Sequence, residues 1–174
     1  SRKMNPPGKN GYYVHRDLNP ITMKLKRKLE SRGCHTIFFH HSYNAPVRNI
    51  PNTVKNIEFG DDFNQKLENL SDGIVSLKMG YNFNNSLDYC LPWGLKILTL
   101  STQFNLDLDF LPMYLEYLEI GYNFNRPLYN LPLYLKCLVL HHTYNLPLNE
   151  LPPYLERLIL GFSFNEPLDR LPHG

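Results

Sequence analysis

The sequence predicts a repeat solenoid, mainly β, and three recurring features carry that prediction. An aromatic residue followed at once by asparagine occurs seven times, at Tyr43-Asn44, Phe63-Asn64, Phe83-Asn84, Phe104-Asn105, Phe124-Asn125, Tyr144-Asn145 and Phe164-Asn165, with a step of 20 residues five times and 21 once. A strand-like pattern of alternating apolar residues and a Leu-Pro pair return at the same period, the latter at Leu91-Pro92, Leu111-Pro112, Leu131-Pro132, Leu151-Pro152 and Leu171-Pro172. A unit this short cannot bury its apolar face alone and is stable only when stacked on its neighbours. The expected organisation is a basic N-terminal arm over 1–18, a capping helix over 19–33 and a solenoid of about seven 20-residue turns over 34–174.

The clearest unit begins Leu115-Glu116-Tyr117-Leu118-Glu119-Ile120. This is the L-x-x-L-x-L signature of a leucine-rich repeat, in which alternation sends Leu118 and Ile120 to one face of a short strand and Glu119 to the other. The inward column is then Ile37/Phe39, Ile57/Phe59, Leu77/Met79, Leu98/Leu100, Leu118/Ile120, Leu138/Leu140 and Leu158/Leu160. Successive strands should pair in parallel, about 4.8 Å apart, through right-handed crossovers.

About a dozen residues of each repeat follow the strand, punctuated in this unit by Pro127 and Pro132. Proline fixes φ and lacks the N–H donor, so this stretch favours turns or polyproline segments, with few or no α-helices on the convex side. The Phe/Tyr of each pair supplies apolar contact to the stack, and the asparagine is expected to form a buried ladder that bonds backbone groups lacking sheet partners. The 21-residue step arises at Asp88-Tyr89-Cys90, where the extra residue should bulge and bring Tyr89 or Cys90 to the surface.

The pattern F-N-x-P-L followed by L-P-x-x-L-x-x-L-x-L, as in Phe124-Asn125-Arg126-Pro127-Leu128 and Phe164-Asn165-Glu166-Pro167-Leu168, resembles the FNIP repeat. That repeat is a relative of the leucine-rich repeat found in social amoebae and in giant viruses that infect amoebae. The resemblance covers roughly residues 37–172. It implies a leucine-rich-like fold and, because such proteins often carry an F-box ahead of the repeats, a part in recruiting substrates to a ubiquitin ligase. Only one short helix is legible in the residues ahead of the repeats, so the ligase connection rests on the resemblance alone.

That helix is marked by Asn19 as N-cap, Pro20 at the first helical position and Gly33 beyond the end, with Ile21, Leu25 and Leu29 forming one apolar stripe. Residues 1–36 hold nine Lys/Arg against Asp17 and Glu30, a net +7, whereas residues 37–174 hold nine against fourteen acids, a net −5. Two readings stay open for the basic segment. It caps the first turn while its lysines remain in water, or Lys24, Lys26, Arg27, Lys28 and Arg32 contact nucleic acid or an anionic membrane.

The remaining chemistry is sparse. There is no run of 18 apolar residues, hence no expected membrane span. Three cysteines are too few for a disulfide framework, and Cys34 and Cys137 are five turns apart, which suggests a reducing, intracellular setting. His15-Arg16-Asp17-Leu18 copies the start of a kinase catalytic loop but lacks its asparagine and its companion motifs. His40-His41 and His141-His142 fall roughly 24 Å apart by strand spacing and cannot share an ion. No cofactor, metal or small-molecule substrate is expected.

Outward strand positions should line up as two columns on a concave face. One reads Thr36, Asn56, Ser76, Ile97, Tyr117, Cys137, Arg157, and the other Phe38, Glu58, Lys78, Thr99, Glu119, Val139, Ile159. Exposed aromatics and arginine are common interface anchors, so the candidate binding patch is Tyr117, Glu119, Tyr122, Val139, Arg157, Ile159 and Phe162. The expected function is a non-enzymatic module that binds a protein partner on one face. The alternatives are a building block that self-associates through its C-terminal end and, after that, a nucleic-acid or membrane binder acting through the basic segment.

Overall fold

The computed structural model describes residues 11–68, 70–168 and 171–172. Eight strands form one parallel sheet in chain order: β1 (Tyr12–His15), β2 (Thr36–Phe39), β3 (Asn56–Glu58), β4 (Ser76–Lys78), β5 (Ile97–Thr99), β6 (Tyr117–Ile120), β7 (Cys137–Leu140) and β8 (Arg157–Leu160). The register follows the repeat period, pairing Leu98 with Leu118 and Leu118 with Leu138. Each turn of the coil therefore places a residue on its own counterpart in the next turn. The inward column is buried as expected from β2 to β7, while Leu158 and Leu160 on β8 are half-buried.

Two β-turns close each coil. In the first, the proline carbonyl accepts the N–H three residues on, as in Leu115 N–H to Pro112 O and Leu135 N–H to Pro132 O, both at 3.0 Å. This use of Leu-Pro puts the ring inside, where Pro92, Pro112, Pro132 and Pro152 are buried, and needs no donor from it. The second turn ends on the aromatic residue, as in Phe124 N–H to Gly121 O. Coil stacks so closely there that a Cβ on Gly121 would overlap the Ser101 carbonyl oxygen. No α-helix occurs among the described residues apart from α1 (Met23–Ser31).

The aromatic residues form a buried column. Rings of Tyr43, Phe63, Phe83, Phe104, Phe124, Tyr144 and Phe164 stack on one another with centroids 6.0–6.4 Å apart. The asparagines follow a different course from the expected buried ladder. Their amide oxygens do accept the backbone N–H of the next asparagine, as in Asn84 N–H to Asn64 Oδ1 at 2.9 Å and Asn125 N–H to Asn105 Oδ1 at 3.0 Å. The ladder lies on the outer surface, however, with Asn105 half-buried and the others exposed. In an extended chain the residue after an inward ring points outward, and this stretch has no strand partner to satisfy its N–H groups.

The N-terminal end also departs from expectation. Tyr12–His15 is not part of an arm but the first strand, pairing Tyr13 with Ile37 and His15 with Phe39. The first ten residues of the expected arm lie outside the described residues. The helix begins at Met23 with Thr22 as N-cap, whose Oγ1 accepts the Leu25 N–H at 3.3 Å. Asn19 instead donates to the Asp17 carboxylate, and Pro20 precedes the helix. Gly33 does follow its end, with φ +64. Ile21 and Leu29 are buried, so α1 serves as the wall of the first coil, between β1 and β2. The extra residue of the long repeat behaves as expected: Tyr89 takes φ +56 and is 83% exposed, while Cys90 is half-buried.

His15 sits inside this cap at 1% exposure, edge-on to Phe39 and Tyr43, with its Nε2 2.8 Å from the Asn19 carbonyl. Burial lowers its pKa from the usual 6.5, against weaker upward pulls from the Asn19 carbonyl and Asp17. The folded cap thus holds His15 neutral while the unfolded chain protonates it, so the stability it contributes is present above 6.5 and is lost as pH falls through 6.5 towards the lowered value. Thermal melts between roughly pH 7.5 and 5 should show the midpoint falling with acid, and His15→Phe should flatten that slope. An unchanged slope in the variant would remove His15 as its source.

Candidate functional site

The outward columns of the sheet carry side chains in register across β2–β8, so their chemistry can be followed coil by coil. In the N-terminal half the polar groups satisfy one another. Lys78 Nζ meets Glu58 Oε1 at 2.9 Å, and Asn56 donates to Thr36 Oγ1 at 3.1 Å. The C-terminal half is built differently, around Glu119.

The Tyr117 hydroxyl donates to Glu119 Oε2 at 2.8 Å, and His141 Nε2 lies 3.0 Å from Glu119 Oε1. An ionised carboxylate only accepts, so the proton of His141 is on Nε2 in this contact. Tyr122 stacks on the His141 ring at 4.8 Å and 13°, and touches the His142 ring at 4.8 Å. His142 in turn meets Phe162 edge-on at 5.0 Å and 88°. A continuous line of side chains thus runs from β6 to the corner after β8.

Of the residues singled out from sequence, Tyr117 and Glu119 bond directly, and Tyr122 and Phe162 join them through His141 and His142. The sequence favours a surface role for those histidines over metal binding. Among the described residues no group of three or more His, Cys, Asp or Glu is placed to hold a metal ion. Val139 lies between Glu119 and Ile159 in the register and is 7% exposed, a floor rather than a contact surface. Arg157 and Ile159 are exposed on β8, and Arg157 has no ion pair among the described residues. Phe162 is 92% exposed, an extreme value for a phenylalanine.

The cysteines and Tyr117 are held in their protonated forms. Burial pushes the thiols of Cys34, Cys90 and Cys137 upward, the opposite of an activated thiolate. The Tyr117 hydroxyl is pushed up to about 12, first by burial and then by its hydrogen bond to Glu119. It is a fixed donor at neutral pH, not an acid that gives its proton away.

Sequence reasoning missed a second surface, at the corner that precedes each strand. Tyr114, Tyr134 and Tyr154 stack there with centroids 5.4 and 5.7 Å apart, and Trp93 is 75% exposed in the coil before them. The signal was available in the L-P-x-Y-L pattern. Thr53, Gly73 and Gly94 occupy the tyrosine's position in other coils, so the fold does not require an aromatic residue there.

The comparisons agree with this architecture. A family model described as the FNIP repeat matches residues 43–71, 63–103, 83–123 and 104–142. Among solved structures the chain resembles CroV588, described as a novel circular leucine-rich-repeat protein structure, with a TM-score of 0.57 and 23% identity. The similarity covers 90% of this chain but 30% of that one, so the chain spans under a third of that relative's length. At this identity the likeness is one of fold. Among curated proteins none matches the chain.

Glu119→Gln keeps the shape of the cluster but removes the charge that holds the Tyr117 proton. The pKa of Tyr117 should move down from about 12 towards the ordinary value of 10.0. A pH titration of the tyrosine ring resonances would resolve it from Tyr43, which burial raises to about 12, and Tyr144, which burial and then Tyr129 raise to about 12. No movement of Tyr117 would show that Glu119 does not hold it.

Proposed function

This chain belongs to the FNIP-repeat family, and we propose that it is a non-enzymatic protein-interaction module that holds a protein partner against the C-terminal half of its sheet. Repeat solenoids of this type are scaffolds whose buried columns are fixed and whose outward positions are free to vary. The observation that carries the reading is the ordered line Tyr117–Glu119–His141–Tyr122–His142–Phe162. Side chains held in one geometry before a partner arrives lose less entropy on binding, and aromatic anchors supply much of the energy of protein interfaces. Val139 gives the patch an apolar floor, with Ile159 and the unpaired charge of Arg157 at its side.

A narrower form of this proposal follows from the family resemblance, with the captured protein as a substrate for ubiquitin transfer. A second reading, assembly of copies through the C-terminal end, is favoured by the contrast between half-buried Leu158, Leu160 and Phe164 and the nearly complete burial of their counterparts in earlier coils.

The test is capture of partners from native-host extract by the intact chain and by a Tyr122→Ala/Arg157→Ala/Phe162→Ala variant. These side chains are exposed, so the variant should melt within about 1 kcal/mol of the parent. A partner that binds the parent and is lost from the variant supports the sheet face. Equal capture by both would place binding elsewhere, and concentration-dependent sedimentation by both would favour assembly through the end.

A further inference from the structure

We propose that the pre-strand corner is a second docking surface, for an extended arginine- or lysine-bearing segment of a protein partner. Its rings are the first argument. Tyr114, Tyr134 and Tyr154 are exposed and stacked nearly parallel, at 15° and 9°, and Trp93 projects from the coil before them. The residue before Tyr114 and before Tyr134, Met113 and Leu133 respectively, is also apolar and exposed, at the position Trp93 holds in its own coil. Large apolar surface left in water along consecutive coils costs stability without serving the fold, since Asn52-Thr53 and Asp72-Gly73 make the same turn in earlier coils.

Charge decides what the surface accepts. The two lysines of this corner are already engaged: Lys96 and Lys136 both reach Glu116, at 2.8 and 3.0 Å. Lys96 Nζ also lies 5.7 Å from the centre of the Tyr114 ring, so one ring of the ladder already takes a cation over its face. In the same coils Asp88, Asp109, Glu150 and Glu156 are exposed and have no ion pair among the described residues. Beside the rings the pre-strand positions alternate in sign, as Lys96, Glu116, Lys136 and Glu156, and the other acids lie elsewhere in the same coils. Aromatic faces attract guanidinium and ammonium groups, most strongly at tryptophan, and nearby carboxylates add to that attraction. The excess of acids in these coils disfavours a phosphate-bearing occupant such as an anionic membrane or a nucleic acid.

Coil spacing fits an extended chain. Consecutive tyrosine rings are separated by 5.4 and 5.7 Å, while alternate side chains on one face of an extended peptide are roughly 6.6 Å apart. Basic side chains at every second position can thus meet successive rings.

The chain contains one tryptophan, and it stands at this surface, so its emission reports the site directly. A short oligo-arginine peptide should change Trp93 emission saturably at moderate salt, and oligo-lysine should do so more weakly. Tyr114→Ser/Tyr134→Ser/Tyr154→Ser should weaken oligo-arginine binding by about tenfold or more. Serine is small enough for a turn that accepts threonine and glycine elsewhere, and circular dichroism would confirm that the variant is folded. Tyr122→Ala/Phe162→Ala, on the sheet face, should leave the affinity unchanged, which separates this proposal from the sheet-face reading. Unaltered Trp93 emission would overturn it, as would equal affinity in the triple serine variant. Comparable binding of oligo-glutamate or of a single-stranded RNA would overturn it as well.

Discussion

The buried residues of each repeat stack on their own counterparts one coil away, and that constraint organises the rest. The aromatic column from Tyr43 to Phe164 keeps its centroids 6.0–6.4 Å apart across all six steps, including the step that crosses the 21-residue repeat. A coil that slipped by one residue would turn its ring outward and place an asparagine in the stack. The additional residue is therefore expelled at Tyr89, on the surface, where it takes a left-handed conformation without disturbing Phe83 or Phe104. The same closeness explains the glycine before several of the corners. At Gly80 and Gly121 a Cβ would overlap a carbonyl of the preceding coil, which is backbone and cannot swing aside.

Because the inward positions are so constrained, individuality is confined to the surface. The sheet face and the pre-strand corner spend that freedom differently. On the sheet face, Glu119 gathers a tyrosine and a histidine into one hydrogen-bonded group and leaves Arg157 uncompensated. At the corner Lys96 and Lys136 share the one Glu116 carboxylate beside the exposed rings.

Period and alternation made most of the fold legible in the sequence. The strands, their register, the inward columns and the scarcity of helix all follow from a 20-residue step and from proline in the return path. What escaped lies where a residue's role depends on a neighbour distant in sequence. Tyr12–His15 carries no leucine signature and was hidden by the basic residues around it, yet Gly11 accepts the His35 N–H at 2.8 Å and brings it into the sheet. Thr22 displaced Asn19 as the helix cap because Asn19 is held by Asp17. The exposure of the asparagines was a matter of alternation read too loosely. The contacts of His141 and His142 to Glu119, Tyr122 and Phe162 come from adjacent coils and leave no mark in the sequence.

The central claim is that the ring column, and not the asparagine ladder beside it, holds the coils together. Phe104 and Asn105 are neighbours in one coil, the first fully buried between Phe83 and Phe124 and the second bonded to Asn125 at the surface. Denaturant unfolding of Phe104→Ala and Asn105→Ala in the same background compares them directly. Loss of the ring should cost about 3–5 kcal/mol, from lost transfer energy and the cavity left behind, and loss of the amide about 1 kcal/mol. Equal costs, or a larger cost at Asn105, would contradict the account.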